Sequence, residues 1–120
     1  MWIYKQSTGQ LFFGVVLIGT GYAGRAADKD VPADQGVVDM GPLPQGFYTI
    51  GPAYSDPHLG PLAMRLTPDT SNDMMGRAAF FIHADAPSHM GEASEGCIVM
   101  PNDVRGQLAR SPDRRLQVVA

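Results

Sequence analysis

The sequence predicts a mostly β domain with one short helix, and three observations predict it. Short apolar runs recur at positions 2–5, 11–18, 47–50, 62–66, 78–82, 97–100 and 116–119, and all but 62–66 carry Val, Ile, Phe or Tyr, the composition that suits a pleated, half-buried surface. Gly and Pro number 14 and 10 of the 120 residues and cluster between those runs, where they set turns. Helical spacing occurs once, at Val104 and Leu108, four apart on one face.

Taken in order, positions 2–5 form a strand, Ser7-Thr8-Gly9-Gln10 a turn, and positions 11–18 a second strand. Val15, Val16 and Ile18 favour strand there, and glycines at 14 and 19 would be costly in a helix. Positions 19–40 are small, polar and glycine-bearing and read as a long loop; such loops in small domains are usually functional. Gly41-Pro42-Leu43-Pro44-Gln45-Gly46 is dense turn chemistry before the strand at 47–50. Positions 62–66 alternate, with Arg65 on the polar face, and 67–76 form a polar loop. Ala78-Ala79-Phe80-Phe81-Ile82 is a buried strand that ends at His83. After a loop over 84–96, positions 97–100 are strand-like. Asn102 is expected to cap the helix, with Asp103 at its positive end. Ser111-Pro112 ends it, and 116–119 is the closing strand.

The chain has the length of one domain, residues 1–120, and 44% hydrophobic residues, enough for a single core. Its net charge is −3, and no basic cluster exceeds Arg114-Arg115, so it has no electrostatic footprint for nucleic acid. The apolar run at 11–18 follows Lys5 and precedes Arg25-Ala26-Ala27, a loose imitation of a signal peptide. It is broken by Gly14, follows a polar turn, and is too short to span a membrane. The expectation is therefore a chain without a signal peptide and without membrane insertion.

The only cysteine, Cys97, lies in Ser94-Glu95-Gly96-Cys97-Ile98. A lone cysteine forms no internal disulfide and by default is a small buried hydrophobe. Here, however, His83 ends one apolar strand and Cys97 begins another fourteen positions later. If those strands are neighbours, imidazole and thiol can reach one mouth, and the imidazole can favour the thiolate. Gly96 permits unusual backbone or close approach to a ligand. The N–H groups of Gly96 and Cys97 are then candidates for an oxyanion hole, worth on the order of 3 kcal/mol.

These residues resemble the L,D-transpeptidase (YkuD-type) catalytic domains, whose signature is a strand-terminal histidine, a loop, then Ser/Thr-x-Gly-Cys and an apolar residue. Here that reads His83, Ser94-Glu95-Gly96-Cys97-Ile98 and Met100-Pro101-Asn102-Asp103. The chain is more closely similar to the type VI secretion L,D-transpeptidase effector family. Tyr4 with Gln6-Ser7-Thr8-Gly9, Gly21-Tyr22-Ala23-Gly24, Gly41 to Ile50, Leu66-Thr67-Pro68 and Gly76-Arg77 carry that likeness over nearly the whole length. Departures are Ala84 where the family usually has glycine, Glu95 where histidine or alanine is common, and Val99 where many members carry arginine.

The resemblance implies an L,D-transpeptidase-like β-sandwich or sheet with its short helix after the catalytic cysteine. It implies Cys97 as nucleophile, His83 as base, Ser94 as an orienting hydroxyl, and Gly96 with the Cys97 N–H as oxyanion donors. It implies substrate contacts at Tyr22, Arg65, Arg77 and Glu95; Arg65, Arg77 and Arg105 all remain open as holders of a substrate carboxylate. The implied substrate is the peptidoglycan stem tetrapeptide, opened through a thioester that water or a D-amino acid resolves. No cofactor is implied. The implied partner is a cognate immunity protein, and the implied route is type VI secretion into the periplasm of a target bacterium.

Other readings use the same residues. His89 competes as the base but sits between Pro87 and Gly91, and His58 reads as a surface loop residue. His83, Asp85, His89 and Cys97 could offer mixed metal ligands, without the short paired spacing of structural zinc sites. A non-catalytic peptidoglycan-binding module could use the same cleft. An NlpC/P60-like amidase is disfavoured, because there the cysteine precedes the histidine.

Overall fold

The computed structural model describes all 120 residues, Met1–Ala120. The chain forms ten strands and one α-helix, the mostly β architecture with one short helix that the sequence predicts. The strands are β1 (Trp2–Lys5), β2 (Gln10–Phe13), β3 (Val16–Thr20), β4 (Tyr22–Ala23), β5 (Gly46–Ile50), β6 (Tyr54–Asp56), β7 (Gly60–Pro68), β8 (Phe80–His83), β9 (Ile98–Val99) and β10 (Arg115–Val119), and α1 is Asn102–Arg110. They order as β3-β2-β1-β10-β5-β7-β8-β9-β4, with β6 paired to β7 beside this path. Two pairings are parallel, β1 with β10 and β8 with β9; the others are antiparallel.

Alternation along each strand sends one face into a common core of 17 residues. Tyr4, Leu11, Tyr48, Met64, Ile82, Ile98 and Leu116 all belong to it, together with Val104 and Leu108 from α1. Strands from both ends of the order share this core, so the sheet must wrap around it. The wrap nearly closes where the Gly21 N–H, before β4, donates to the Gly9 carbonyl between β1 and β2 (2.8 Å). Helix α1 covers the core beside β3, with Val104 against Gly19.

Several elements differ from the sequence expectation. The run at 11–18 is a hairpin rather than one strand: it divides into β2 and β3 at Gly14, whose φ of +59° is a left-handed turn conformation. The long loop over 19–40 contains the short strand β4 and two 3-10 turns, Ala26–Asp28 and Pro32–Asp34. β6 was not expected either; its Tyr54-Ser55-Asp56 has almost no apolar signal because two of its three residues are exposed. Asn102 does not cap α1. Pro101 occupies the cap position without a side-chain bond, and Asn102 instead meets the Arg105 guanidinium at 3.5 Å. No helix is long and apolar enough to cross a membrane.

Buried polar groups fasten the loops to this frame. The fully buried Gln6 donates to the Leu43 carbonyl (2.9 Å) and the Gln35 side chain (3.1 Å), and accepts from Gln45 (3.0 Å). This satisfies a core amide that would otherwise cost about 1–3 kcal/mol and fixes the Pro-rich turn at 42–44.

Backbone contact at the closure predicts a ranking. A Cβ on Gly21 would lie 1.8 Å from the Val99 carbonyl oxygen, whereas one on Gly14 meets nothing within 4 Å. Gly21→Ala is expected to lower unfolding free energy by about 2 kcal/mol or more, and Gly14→Ala by about 1–2 kcal/mol from its left-handed backbone alone. Urea denaturation midpoints check the order.

Candidate active site

The parallel pairing of β8 with β9 sets His83 beside Val99 and Ile82 beside Ile98. Ile82 and Ile98 are fully buried in the core, so His83 and Val99 point to the opposite face. One step back along the same register, Cys97 stands beside Phe81. His83 and Cys97 therefore share the face away from the core, on adjacent strands and two residues out of line. At ordinary strand spacing and rise, that offset puts their Cα atoms about 8 Å apart. The face continues sideways through Tyr22, paired with Val99, and through Arg65, paired with Phe81.

Within that face the two groups front different hollows. Cys97 lines a cavity of about 290 Å³ with Asp39, Arg77, Phe80 and Glu95. His83 lines one of about 480 Å³ with His58, Leu59, Ala84 and Ala93. The largest, about 550 Å³, lies farther along, between Tyr22, Asp85, Met90, Val99 and Arg105. No hydrogen bond joins the thiol to His83; the sulfur lies 4.0 Å from the Ala79 carbonyl.

His83 is 4% exposed and its Nδ1 is 2.7 Å from the Ala84 carbonyl oxygen. A carbonyl can only accept, so Nδ1 carries the proton and Nε2 keeps its lone pair. Burial pushes the imidazole pKa below its ordinary 6.5, outweighing the Ala84 bond and the charge of Asp85. The ring is neutral at pH 7, as a base must be. Burial also pushes the Cys97 thiol up, helped by Glu95 and opposed by the Phe81 N–H and Arg77. The resting pair is thus a neutral thiol and a neutral imidazole, not an ion pair.

The loop before Cys97 is held by Ser94 and Arg77. Ser94 Oγ donates to the Cys97 carbonyl (2.6 Å) and accepts from the N–H groups of Gly24 (2.9 Å) and Gly96 (3.0 Å). The Gly96 N–H, expected to serve an oxyanion hole, is here bonded to Ser94 Oγ. The Cys97 N–H makes no bond to another residue and lies toward its own sulfur, whose thiolate form it favours. Gly96 has a structural requirement instead. Its φ is +135°, and a Cβ there would stand 2.5 Å from Arg77 Nη2 and 2.8 Å from the Phe80 ring.

Of the expected substrate-contacting residues, Arg77 is 7% exposed and donates to the carbonyls of Gln35, Gly41, Pro42 and Glu95. It is a loop tie, and four of its five N–H groups are turned inward. Arg105 is likewise buried, donating to the Met100 and Pro61 carbonyls. Arg65 alone of the three is exposed, with its guanidinium 5.5 Å over the Phe81 ring and no hydrogen-bond partner. Glu95 is exposed at the Cys97 cavity. Tyr22 donates to Asp85 (2.6 Å), accepts from the Ala93 N–H (2.9 Å) and stacks under Lys29 (4.8 Å), fastening the loop over 84–93.

Asp85 and the Ala84 carbonyl escaped sequence reasoning in these roles. Asp85 accepts from Tyr22, Ala86 and Gly91, bonds that hold its carboxyl below the usual range although burial acts against them. Its pairing with Tyr22 spans 63 positions and leaves no local signal; a backbone carbonyl leaves none at any position. No group of three or more His, Cys, Asp or Glu residues converges as metal ligands.

Two outcomes follow. Glu95→Gln removes a charge that raises the thiol pKa, so iodoacetamide should alkylate the variant faster at pH 7.5, by about twofold for one solvent-screened charge. His83 binds its proton less readily folded than unfolded. Unfolding free energy should therefore fall as pH drops through 6.5 and level off below the folded-state pKa. Denaturation of His83→Gln between pH 7.5 and 5.5 should show a shallower slope than the parent.

A comparison with curated proteins finds no match. The family model described as the Tlde1 domain matches residues 18–119, most of the chain and every residue of the site just described. The chain belongs to the Tlde1 domain family of type VI secretion L,D-transpeptidase effectors.

Proposed function

We propose that the domain is a cysteine-dependent enzyme acting on peptidoglycan stem tetrapeptides, as an L,D-carboxypeptidase and, with a D-amino acid acceptor, by exchange. The observation that carries the reading is the shared outer face. It presents a half-buried thiol with a backbone N–H that no other residue engages, beside a neutral imidazole whose Nδ1 is pinned to the Ala84 carbonyl. Substrate seated across Phe81 would place its scissile carbonyl between the two groups. Catalytic hydrogen bonds commonly tighten only on binding.

In this mechanism His83 Nε2 takes the Cys97 proton as sulfur attacks the carbonyl of the third stem residue. The Cys97 N–H stabilises the oxyanion. The tetrahedral intermediate collapses with rupture of the C–N bond, and the imidazolium protonates the departing D-alanine nitrogen. Water or a D-amino acid amine, deprotonated by His83, then opens the thioester and returns the thiol. Ser94 acts by holding the Cys97 loop rather than by touching substrate. Arg65, exposed and unpartnered in the row of Phe81 and Cys97, is the arginine suited to a stem carboxylate. Tyr22 shapes the rim through Asp85, and Glu95 contacts substrate at the thiol cavity. No cofactor enters these steps.

Family membership supports delivery by type VI secretion, action on the wall in a target cell's periplasm, and a cognate immunity protein that blocks the cleft. The open distance between thiol and imidazole favours a second reading, a binding module that uses the same face. Incubation with purified muropeptides separates the two: mass spectrometry should show loss of one alanine from tetrapeptide stems. Cys97→Ala should reduce the rate at least 10³-fold. Binding without any cleavage would leave only the module.

A further inference from the structure

The proposed reaction breaks a C–N bond whose nitrogen must meet His83. The departing residue therefore lies on the His83 side of the face, in the cavity of about 480 Å³ between the β6–β7 turn and the loop after β8. That residue is a D-alanine. Once released it is a zwitterion, with its carboxylate two bonds from the nitrogen.

The walls of this cavity match such a molecule. Most of the lining is small or apolar, including Leu59, Gly60, Ala84 and Ala93. His58 and Asp85 line it beside His83; His58 is exposed, and the Asp85 carboxylate is already engaged by Tyr22, Ala86 and Gly91. The His58 ring makes no hydrogen bond, although its turn is held by bonds to Asp56. Asp56 accepts from the backbone N–H groups of His58 (2.8 Å) and Leu59 (3.0 Å), and the Leu59 carbonyl accepts from Ala84 (3.4 Å). That last bond seats the turn on the residue whose carbonyl orients His83. Arg105, which reaches the Pro61 carbonyl of this lining, is occupied by that carbonyl and by Met100, so His58 is the free side-chain donor for an anion in the lining.

We propose that this cavity is the subsite for the leaving and incoming amino acid. His58 binds the carboxylate, so the site selects free α-amino acids over their amides. The inference rests on the proposed cysteine chemistry for its orientation. It deepens that reading by naming a specificity residue and a ligand class: a small zwitterionic amino acid, D-alanine on departure and a D-amino acid on exchange. On exchange, the ammonium first gives one proton to solvent; the free amine then forms the new C–N bond and gives a second proton to His83 Nε2, and the C–S bond breaks as His83 returns that proton to the Cys97 sulfur.

The test uses the full chain in two arms. In the first, tetrapeptide muropeptide is incubated with a D-amino acid or with the corresponding D-amino acid amide, and exchange products are counted by mass spectrometry. The parent should need about tenfold less acid than amide for half-maximal exchange, the worth of one charge-assisted hydrogen bond. His58→Gln should bring the two acceptors to within about twofold of each other. An unchanged preference in His58→Gln, with tetrapeptide still cleaved, overturns the subsite and leaves the cysteine mechanism standing. In the second arm, D-alanine and D-alaninamide are titrated into the Cys97→Ala variant, and the His58 ring protons are followed by NMR. A saturable shift with the acid and a weaker one with the amide support the subsite even where no muropeptide is cleaved, an outcome that removes only the catalytic reading. Absence of any shift with D-alanine counts against the subsite.

Discussion

A single buried guanidinium gathers the parts of this site. Arg77 has no carboxylate bonded to it, yet it is almost fully enclosed, and burial lowers its pKa from the ordinary arginine range. Its charge is met by carbonyl dipoles from two separate segments: Gln35, Gly41 and Pro42 on one side, and Glu95 on the other. Such an arrangement is stable only complete, since removal of a carbonyl leaves part of a buried charge unmet. The Pro-rich turn and the cysteine loop are thereby held in one relative position. The planar guanidinium also lies 5.1 Å from the Phe80 ring centre, and in that layer there is no room for a side chain at Gly96.

From that tie follow the electrostatics of the thiol. The Ser94–Cys97 loop wraps around one hydroxyl, which uses both its donor and acceptor capacity inside the loop. One backbone N–H is consumed and the next, that of Cys97, has no partner in another residue. The thiol is half-enclosed, with Arg77 and Glu95 pulling its pKa in opposite directions and burial dominating both. The histidine is more fully enclosed and equally uncharged. In the proposed reaction, proton transfer between these two neutral groups creates charge only as substrate arrives.

The outer face also assigns the arginines. Burial and carbonyl ties draw Arg77 and Arg105 into the framework, while Arg65 rides on the Phe81 ring with its donors exposed. Composition could not separate these three. Each lies in a polar context, and the difference is which carbonyls the folded chain brings within reach.

The strand pattern and the turn chemistry were legible in the amino-acid order. They are local: alternation marks a half-buried strand, Gly and Pro mark turns, and Val104 with Leu108 mark the helix. The split of 11–18 into a hairpin at Gly14 was missed because both halves are apolar, and the ladder with β1 decides where the chain reverses. The capping role expected of Asn102 passed to no side chain, because the helix already begins at Asn102 and Pro101 holds the cap position. Burial of Arg77, occupation of the Gly96 N–H, the clasp of Tyr22 on Asp85 and the separate hollows of thiol and imidazole were decided in three dimensions. Each depends on contacts between segments far apart in the chain, and a hydrogen bond over such a span leaves no periodicity to read.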